Sequence, residues 1–290
     1  MVKSLSDSID QTKNIEGQII LAVKSPLFKN EAWVLVESSV DQKVYKKMFK
    51  GNVMVLPAVK EDNKSPNCWS VESIVSNILN RGCTQYVVGI RDTDYTRYWH
   101  ECAYSLPQNI VHTHHRDIEM LMLSASSCLN ALNHWNSSFQ TKIAECVPYI
   151  SFMGYLRVWF DNYGDRNICD LKKFKWGRIL LDGSQEVADD WKRRLTNRFN
   201  ELCHTNLTAD DVELYANERG LDTLSFYDIC RGHDFLPCLA NRMVKTSEYT
   251  ERTIRDKMTA HYSTKDFWGS ETGKRLKSIV KTWNLGIIKH

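Results

Sequence analysis

The stretch "VVGIRDTDY", residues 87–95, decides the fold. It opens with a short, β-branched apolar run, the pattern of a buried strand. It then runs straight into two acids one position apart, Asp92 and Asp94. Asp-x-Asp is ordinary turn chemistry at a strand end. It is also what a rigid strand needs at its tip to hold a cation. The choice between the two depends on whether the rest of the chain builds the same arrangement.

It does so several times. Upstream, "AWVLVE" (32–37) reads as a buried strand and "NVMVLPAV" (52–59) as a second. Between them "SVDQKVYKKMF" puts Val40, Val44, Tyr45 and Met48 on one helical face. "SVESIVSNILN" (70–80) has helical spacing and stops near Gly82, a C-terminal cap. "NIVHT" (109–113) reads as a fourth strand, and "DIEMLMLSASSCLNAL" starts with an acid and continues as an apolar helix. Alternating short strands and helices predict an α/β fold with a mostly parallel sheet flanked by helices. Beyond about 133 the strand signal fades, with helices expected at 139–160, 184–203, 209–218 and 250–260 and a short strand within "KFKWGRILLDG". The expected organisation is an N-terminal segment (1–30), a catalytic α/β domain (31–135), and a mainly helical C-terminal region with a basic tail (136–290).

In parallel α/β sheets, ligands sit beyond the carboxyl ends of the strands. Acids fall at those ends here: Glu37 after the first strand, Asp92 and Asp94 after the third, and Asp117 and Glu119 just past the fourth. Carboxylates converging on one crevice repel one another unless a cation neutralises them. Mg²⁺ prefers such hard oxygen ligands; bound there it activates water and stabilises a leaving phosphate oxygen. Plainer readings stand beside this one. Asp117 and Asp41 also read as helix caps, and Glu119 as an acid favoured at a helix N-terminus.

Taken together, "VLVES..D" (34–41), "VVGIRDTDY" (87–95) and "HTHHRDIEML" (112–121) resemble the signatures of a Toprim domain of the OLD-nuclease type. More narrowly, they resemble the Toprim-like family that includes the effector nuclease of the PARIS anti-phage system. A Gly-His-Asp also common in that family matches Gly232, His233 and Asp234, although a buried hydrogen-bonded pair is the plainer reading there. The resemblance implies metal ligation by Glu37, Asp41, Asp92, Asp94 and Glu119, with Mg²⁺ or Mn²⁺ as cofactor. It also implies a downstream lysine that stabilises the transition-state phosphate: Lys172, Lys173 or Lys175, of which Lys173 is taken. Implied too are nuclease activity in anti-phage defence, on RNA such as tRNA, and an ABC-type ATPase partner that restrains it. A homodimer is compatible with the active form. The alternative is a non-catalytic Toprim-like module that senses or assembles. Two departures stand out: Ser38 replaces the family's glycine, and Arg91 directly precedes Asp92, where it contacts phosphate or pairs with an acid.

Composition bounds the rest. The 290 residues are 42% hydrophobic and 25% charged, with net charge +3. Residues 241–290 carry +6 of that, leaving −3 on the first 240, a distribution compatible with phosphate-backbone binding and equally with a solvated helical surface. Cations and aromatics interleave downstream: Trp176 beside the lysines, Trp191 with Lys192, Arg193 and Arg194, and Tyr262, Phe267 and Trp268 before Lys274, Arg275 and Lys277. Rings of that kind, if exposed, stack on unpaired bases, which favours RNA over duplex DNA. Nine cysteines without a Cys-x-x-Cys predict reduced thiols, and the histidines at 112, 114 and 115 with Cys102 fit no standard zinc spacing. The first residues are polar, and the longest apolar stretch, "YISFMGYLRVWF", contains Arg157. A cytoplasmic protein without a membrane span is expected.

Overall fold

A computed structural model describes residues 14–28, 30–59, 68–94, 98, 106–164, 187–243 and 248–289. The chain divides into two compact units. The first takes in Met1–Thr93, Ser105–His114 and Tyr262–His290; the second takes in Asp94–Tyr104 and His115–His261.

The first unit is built on four parallel strands, β1 (Ala32–Val36), β2 (Val53–Pro57), β3 (Val87–Arg91) and β4 (Ile110–His112), in the order β2-β1-β3-β4. Leu35 of β1 lies opposite Leu56 of β2 and Gly89 of β3. All five residues of β1 are buried, as expected of a strand covered on both faces. On one face Trp33, Leu35 and Leu56 pack against Ile15 and Ile19 of α1 (Ile15–Val23) and Val71, Ile74, Val75 and Ile78 of α3 (Cys68–Asn80). Each fully buried aliphatic side chain there contributes about 1.5–3 kcal/mol relative to exposure. Gly89 is required by this packing: a Cβ on it would lie 2.6 Å from Ile110 Cδ1 and 2.6 Å from Val71 Cγ1. The C-terminus of α3 closes as the sequence predicts. Gly82 takes φ +62°, its N–H reaches Leu79 O, and the Cys83 N–H reaches Ile78 O, a Schellman arrangement.

The helix α2 (Ser39–Tyr45) follows β1 and is shorter than its apolar spacing suggests. The chain then turns at Met48 and Phe49, where the C-terminal segment joins the unit. Phe49 bridges Ile288, Lys50 N–H donates to Ile287 O, and Trp268 Nε1 donates to Met48 O. Helices α12 (Thr264–Gly269) and α13 (Glu271–Lys281) bury Phe267, Leu276 and Val280 in the same unit. The strand signal ends by residue 135, but residues from Tyr262 onward are compact with the sheet.

The second unit is helical among its described residues: α4 (Ile118–Leu123), α5 (Ser126–Trp135), α6 (Phe139–Tyr163), α7 (Trp191–Cys203), α8 (Ala209–Glu218), α9 (Phe226–Ile229), α10 (Gly232–Arg242) and α11 (Glu251–His261). The long α6 carries Pro148 in its interior. It is joined to α10 by a buried fork in which Arg157 Nε and Nη2 donate to the two Asp234 oxygens, at 2.5 and 2.7 Å. Residues 173–183, where a short strand is expected, lie outside the described residues. Among the described residues six cysteines carry thiols, as predicted; Cys203 departs from that reading, being disulfide-bonded. No helix among the described residues is long and apolar enough to cross a membrane.

Candidate functional site

The sheet order creates a switch point. The chain leaves β1 toward β2 on one side, then crosses over to β3 on the other. Between the carboxyl ends of β1 and β3 is where an open parallel sheet leaves a crevice. Glu37 follows β1 directly and Asp92 follows β3 directly. They meet: the Asp92 N–H donates to Glu37 Oε1 at 2.7 Å. Thr93, just beyond, donates its N–H to Thr113 Oγ1 at 3.1 Å and its hydroxyl to Thr113 O, which pins the exit of β3 to that of β4.

Ser38 resolves the first departure from the family pattern. Its φ of −149° is extended backbone, so no glycine is required. Its hydroxyl instead caps α2, accepting from the N–H groups of Val40 and Asp41 at 3.2 Å each. That cap starts a helix immediately after Glu37, so Asp41 comes round one turn on. Asp41 is buried, with 6% of its surface exposed. Tyr45 lies a further turn along the same face, its ring edge-on to Phe267 at 5.6 Å.

Arg91 resolves the second. It is buried and paired with Glu72 of α3, its Nε donates to Asp92 O at 3.2 Å, and its guanidinium lies over the Trp69 ring at 5.4 Å. Burial works against its charge, but Cys68, the hydrogen bond and charge of Glu72, and Glu37 together hold its pKa above the ordinary arginine value. Arg91 is therefore a fixed cation behind the acid edge, which lowers the repulsion there. Cys68 opens α3, and its Sγ and one Glu37 carboxylate oxygen lie within 4.8 Å of one another.

The remaining predicted ligands belong to the second unit. Asp94 sits in the left-handed region at φ 51°, a conformation aspartate tolerates. Its Oδ1 accepts from Arg116 Nη1 at 2.9 Å. Asp117 is a cap, the plainer of its two readings: it accepts from the N–H groups of Met120 at 3.0 Å and Gly232 at 2.7 Å. Burial, and secondarily the charge of Glu119, push its pKa up to about 6 against the pull of Arg116 and the two backbone donors. Glu119 is buried and accepts from Arg255 Nε at 3.1 Å. Gly232 of the Gly-His-Asp element packs so closely that a Cβ would lie 2.3 Å from Glu119 Cβ. Asp234 forms the buried pair with Arg157, and His233 is exposed. Lys173, with Lys172, Lys175 and Trp176, lies outside the described residues.

Within the first unit the structure joins Glu37 to the backbone of Asp92 and places Asp41, buried, one helical turn beyond Glu37. Spacing alone did not reveal the partners of that group, Cys68, Tyr45 and the Arg91–Glu72 pair. Tyr45 carried a signal, its position four residues after Asp41; Cys68 carried none, since only the packing of α3 delivers it.

The aromatic stacking expected downstream is corrected for two rings, while Trp191 and Trp268 are half-buried. Tyr262 and Phe267 are buried. Trp268 stands edge-on to Phe49 and Phe267, and Trp191 edge-on to Tyr149 and Phe152. Their neighbouring cations are engaged as well: Lys192 with Glu213, Arg193 and Arg194 with Asp190, and Lys274 with Glu271.

Fold and site define a class: an α/β chain with acidic residues at the carboxyl ends of the strands where its parallel sheet switches direction. Beyond that class, no protein-family model and no curated protein matches the chain.

Proposed function

We propose that this chain is a divalent-metal-dependent phosphodiesterase, a nuclease whose Glu37, Asp41 and Asp92 hold Mg²⁺ or Mn²⁺. The observation that carries this reading is the meeting of Glu37 and Asp92 at the β1/β3 switch point. The donor set fits the ion: three carboxylates are hard oxygen ligands, and a thiol near Glu37 is better tolerated by Mn²⁺ than by Mg²⁺. When bound, the cation supplies a Lewis acid for a phosphoryl oxygen.

The chain's own groups do the rest. The Asp92 N–H fixes the Glu37 carboxylate, which spares the reorganisation a mobile acid would need. Asp41 adds charge from a capped helix, and Arg91 steadies the cluster from behind. Nucleic acid as substrate, RNA in particular, and an ABC-type ATPase partner in anti-phage defence draw on the resemblance to the Toprim-like family. Packed aromatics leave RNA without the independent support of the stacking argument.

A second reading has its own observation. Glu119 is committed to Arg255 and Asp117 to the Gly232 N–H. A non-catalytic module that keeps the fold would retain such structural uses of its acids.

Purified protein incubated with mixed RNA and DNA, in Mn²⁺ or Mg²⁺ against EDTA, separates the two. The nuclease reading expects cleavage that EDTA stops and Asp92→Asn abolishes. Metal-dependent cleavage unchanged in Asp92→Asn contradicts the site.

A further inference from the structure

Among the described residues the Tyr45 hydroxyl has no hydrogen-bond partner, although the residue is 2% exposed. Buried tyrosine hydroxyls ordinarily find a partner, because leaving one unmet costs the desolvation of the group. This one lies beside the acids. Tyr45 is one helical turn past Asp41 on α2, and Phe267 packs edge-on against its ring. Burial, and then the charges of Asp41, Asp92, Tyr262 and Glu37, hold its proton far more tightly than a solvated phenol does. A phenol keeps its proton at neutral pH, so the unmet hydroxyl is a donor in want of an acceptor.

We propose that the Tyr45 hydroxyl donates a hydrogen bond to the hydration shell of a divalent cation held by Glu37, Asp41 and Asp92. This rests on the cation reading of those acids. Mg²⁺ keeps several of its waters when bound by one or two carboxylates, so a pocket for it needs hydrogen-bonding groups besides the ligands. A protonated hydroxyl at the base of an acid cluster meets that need without adding negative charge. Tyr45 acts through the ion's water and so is a positioning residue.

The proposal has a consequence that a purely structural hydroxyl lacks. Without the cation, removing the oxygen relieves an unmet buried group; with it, removal loses a contact. The test compares full-length wild type, Tyr45→Phe and Asp92→Asn. Mn²⁺ binding is followed by the paramagnetic resonance of the unbound ion, and melting is measured in EDTA and in saturating Mn²⁺. Expected for Tyr45→Phe is a melting temperature in EDTA equal to or above wild type, with Mn²⁺ bound about 10–150-fold more weakly, the worth of one hydrogen bond to a charged shell. Unchanged Mn²⁺ affinity in Tyr45→Phe, while Asp92→Asn loses binding, overturns the Tyr45 assignment and leaves the cation site standing. No Mn²⁺ binding by wild type overturns both. A second measurement avoids reliance on the variant's folding. Mg²⁺ titration of wild type should perturb tyrosine near-ultraviolet absorbance, and a silent tyrosine spectrum at saturating Mg²⁺ overturns the assignment.

Discussion

The backbone N–H of Asp92 donates to Oε1 of Glu37 at 2.7 Å, and so ties the exit of β3 to the exit of β1. A carboxylate that accepts a backbone N–H is oriented before any ligand arrives. The same contact separates the structural and chemical roles of Glu37. Glu37→Gln retains a carbonyl oxygen for the Asp92 N–H but gives up the charge. Its melting temperature should stay within about 3 °C of wild type, while Mn²⁺ affinity falls at least about tenfold. Calorimetric titration checks both halves, and an unchanged affinity would remove Glu37 from the site.

Arg91 and Glu72 form a pair that is buried on both sides. Removing one charge strands the other. Glu72→Gln should cost about 3–5 kcal/mol in urea unfolding, whereas the double change Arg91→Met with Glu72→Leu should recover most of that loss. A single variant as stable as wild type would mean that the pair is solvated.

Asp117 makes stability depend on pH in a direction opposite to most carboxylates. Its pKa is raised from 3.8 to about 6 in the folded protein. Between those values the folded state holds a proton that the unfolded state has released, so stability falls as pH rises through this window. The loss attributable to Asp117 is on the order of 3 kcal/mol, complete above about pH 6 and absent below about pH 4. Asp117→Asn should flatten the stability profile between about pH 4 and 6, read by urea unfolding at each pH. An identical profile in both proteins would place the titration elsewhere.

Gly232 holds α10 against α4 at a separation that no side chain allows. Gly232→Ala should destabilise the helical unit by about 1–3 kcal/mol or more, because Glu119 Cβ and Asp117 cannot both give way. Thermal melts check this, and a neutral substitution would show that the contact is looser.

How far the sequence could be read follows from the range of each interaction. The strands around Val34, Val55 and Val88 announced themselves, since buried parallel strands are short apolar runs bounded by turn residues. The helices Phe139–Tyr163, Trp191–Cys203, Ala209–Glu218 and Glu251–His261 were legible from period, apart from their ends; Thr264–Gly269 and Glu271–Lys281 were not. The helix Ile15–Val23 was not, because its apolar residues cluster as "IILAV" without a clean polar face, and Leu21 is in fact exposed. Phe267 was read as an exposed ring and is buried, and the return of residues 262–289 to the sheet unit was hidden, since no local pattern says which sheet a segment packs against. The positions of Glu37 and Asp92 at the ends of β1 and β3 were legible because strand ends mark themselves. The pairing of Arg91 with Glu72, and the uses of Glu119 and Asp117 by Arg255 and Gly232, were not, since each joins residues distant in sequence.

The central claim is a divalent cation at the β1/β3 edge, and Mn²⁺ soaked into crystals of the protein tests it most directly through its anomalous scattering. The account predicts one or two peaks within coordination distance of the Glu37 and Asp92 carboxylates, lost in Asp92→Asn. Crystals that diffract well and show no anomalous peak there, at Mn²⁺ concentrations that saturate ordinary carboxylate sites, would contradict it.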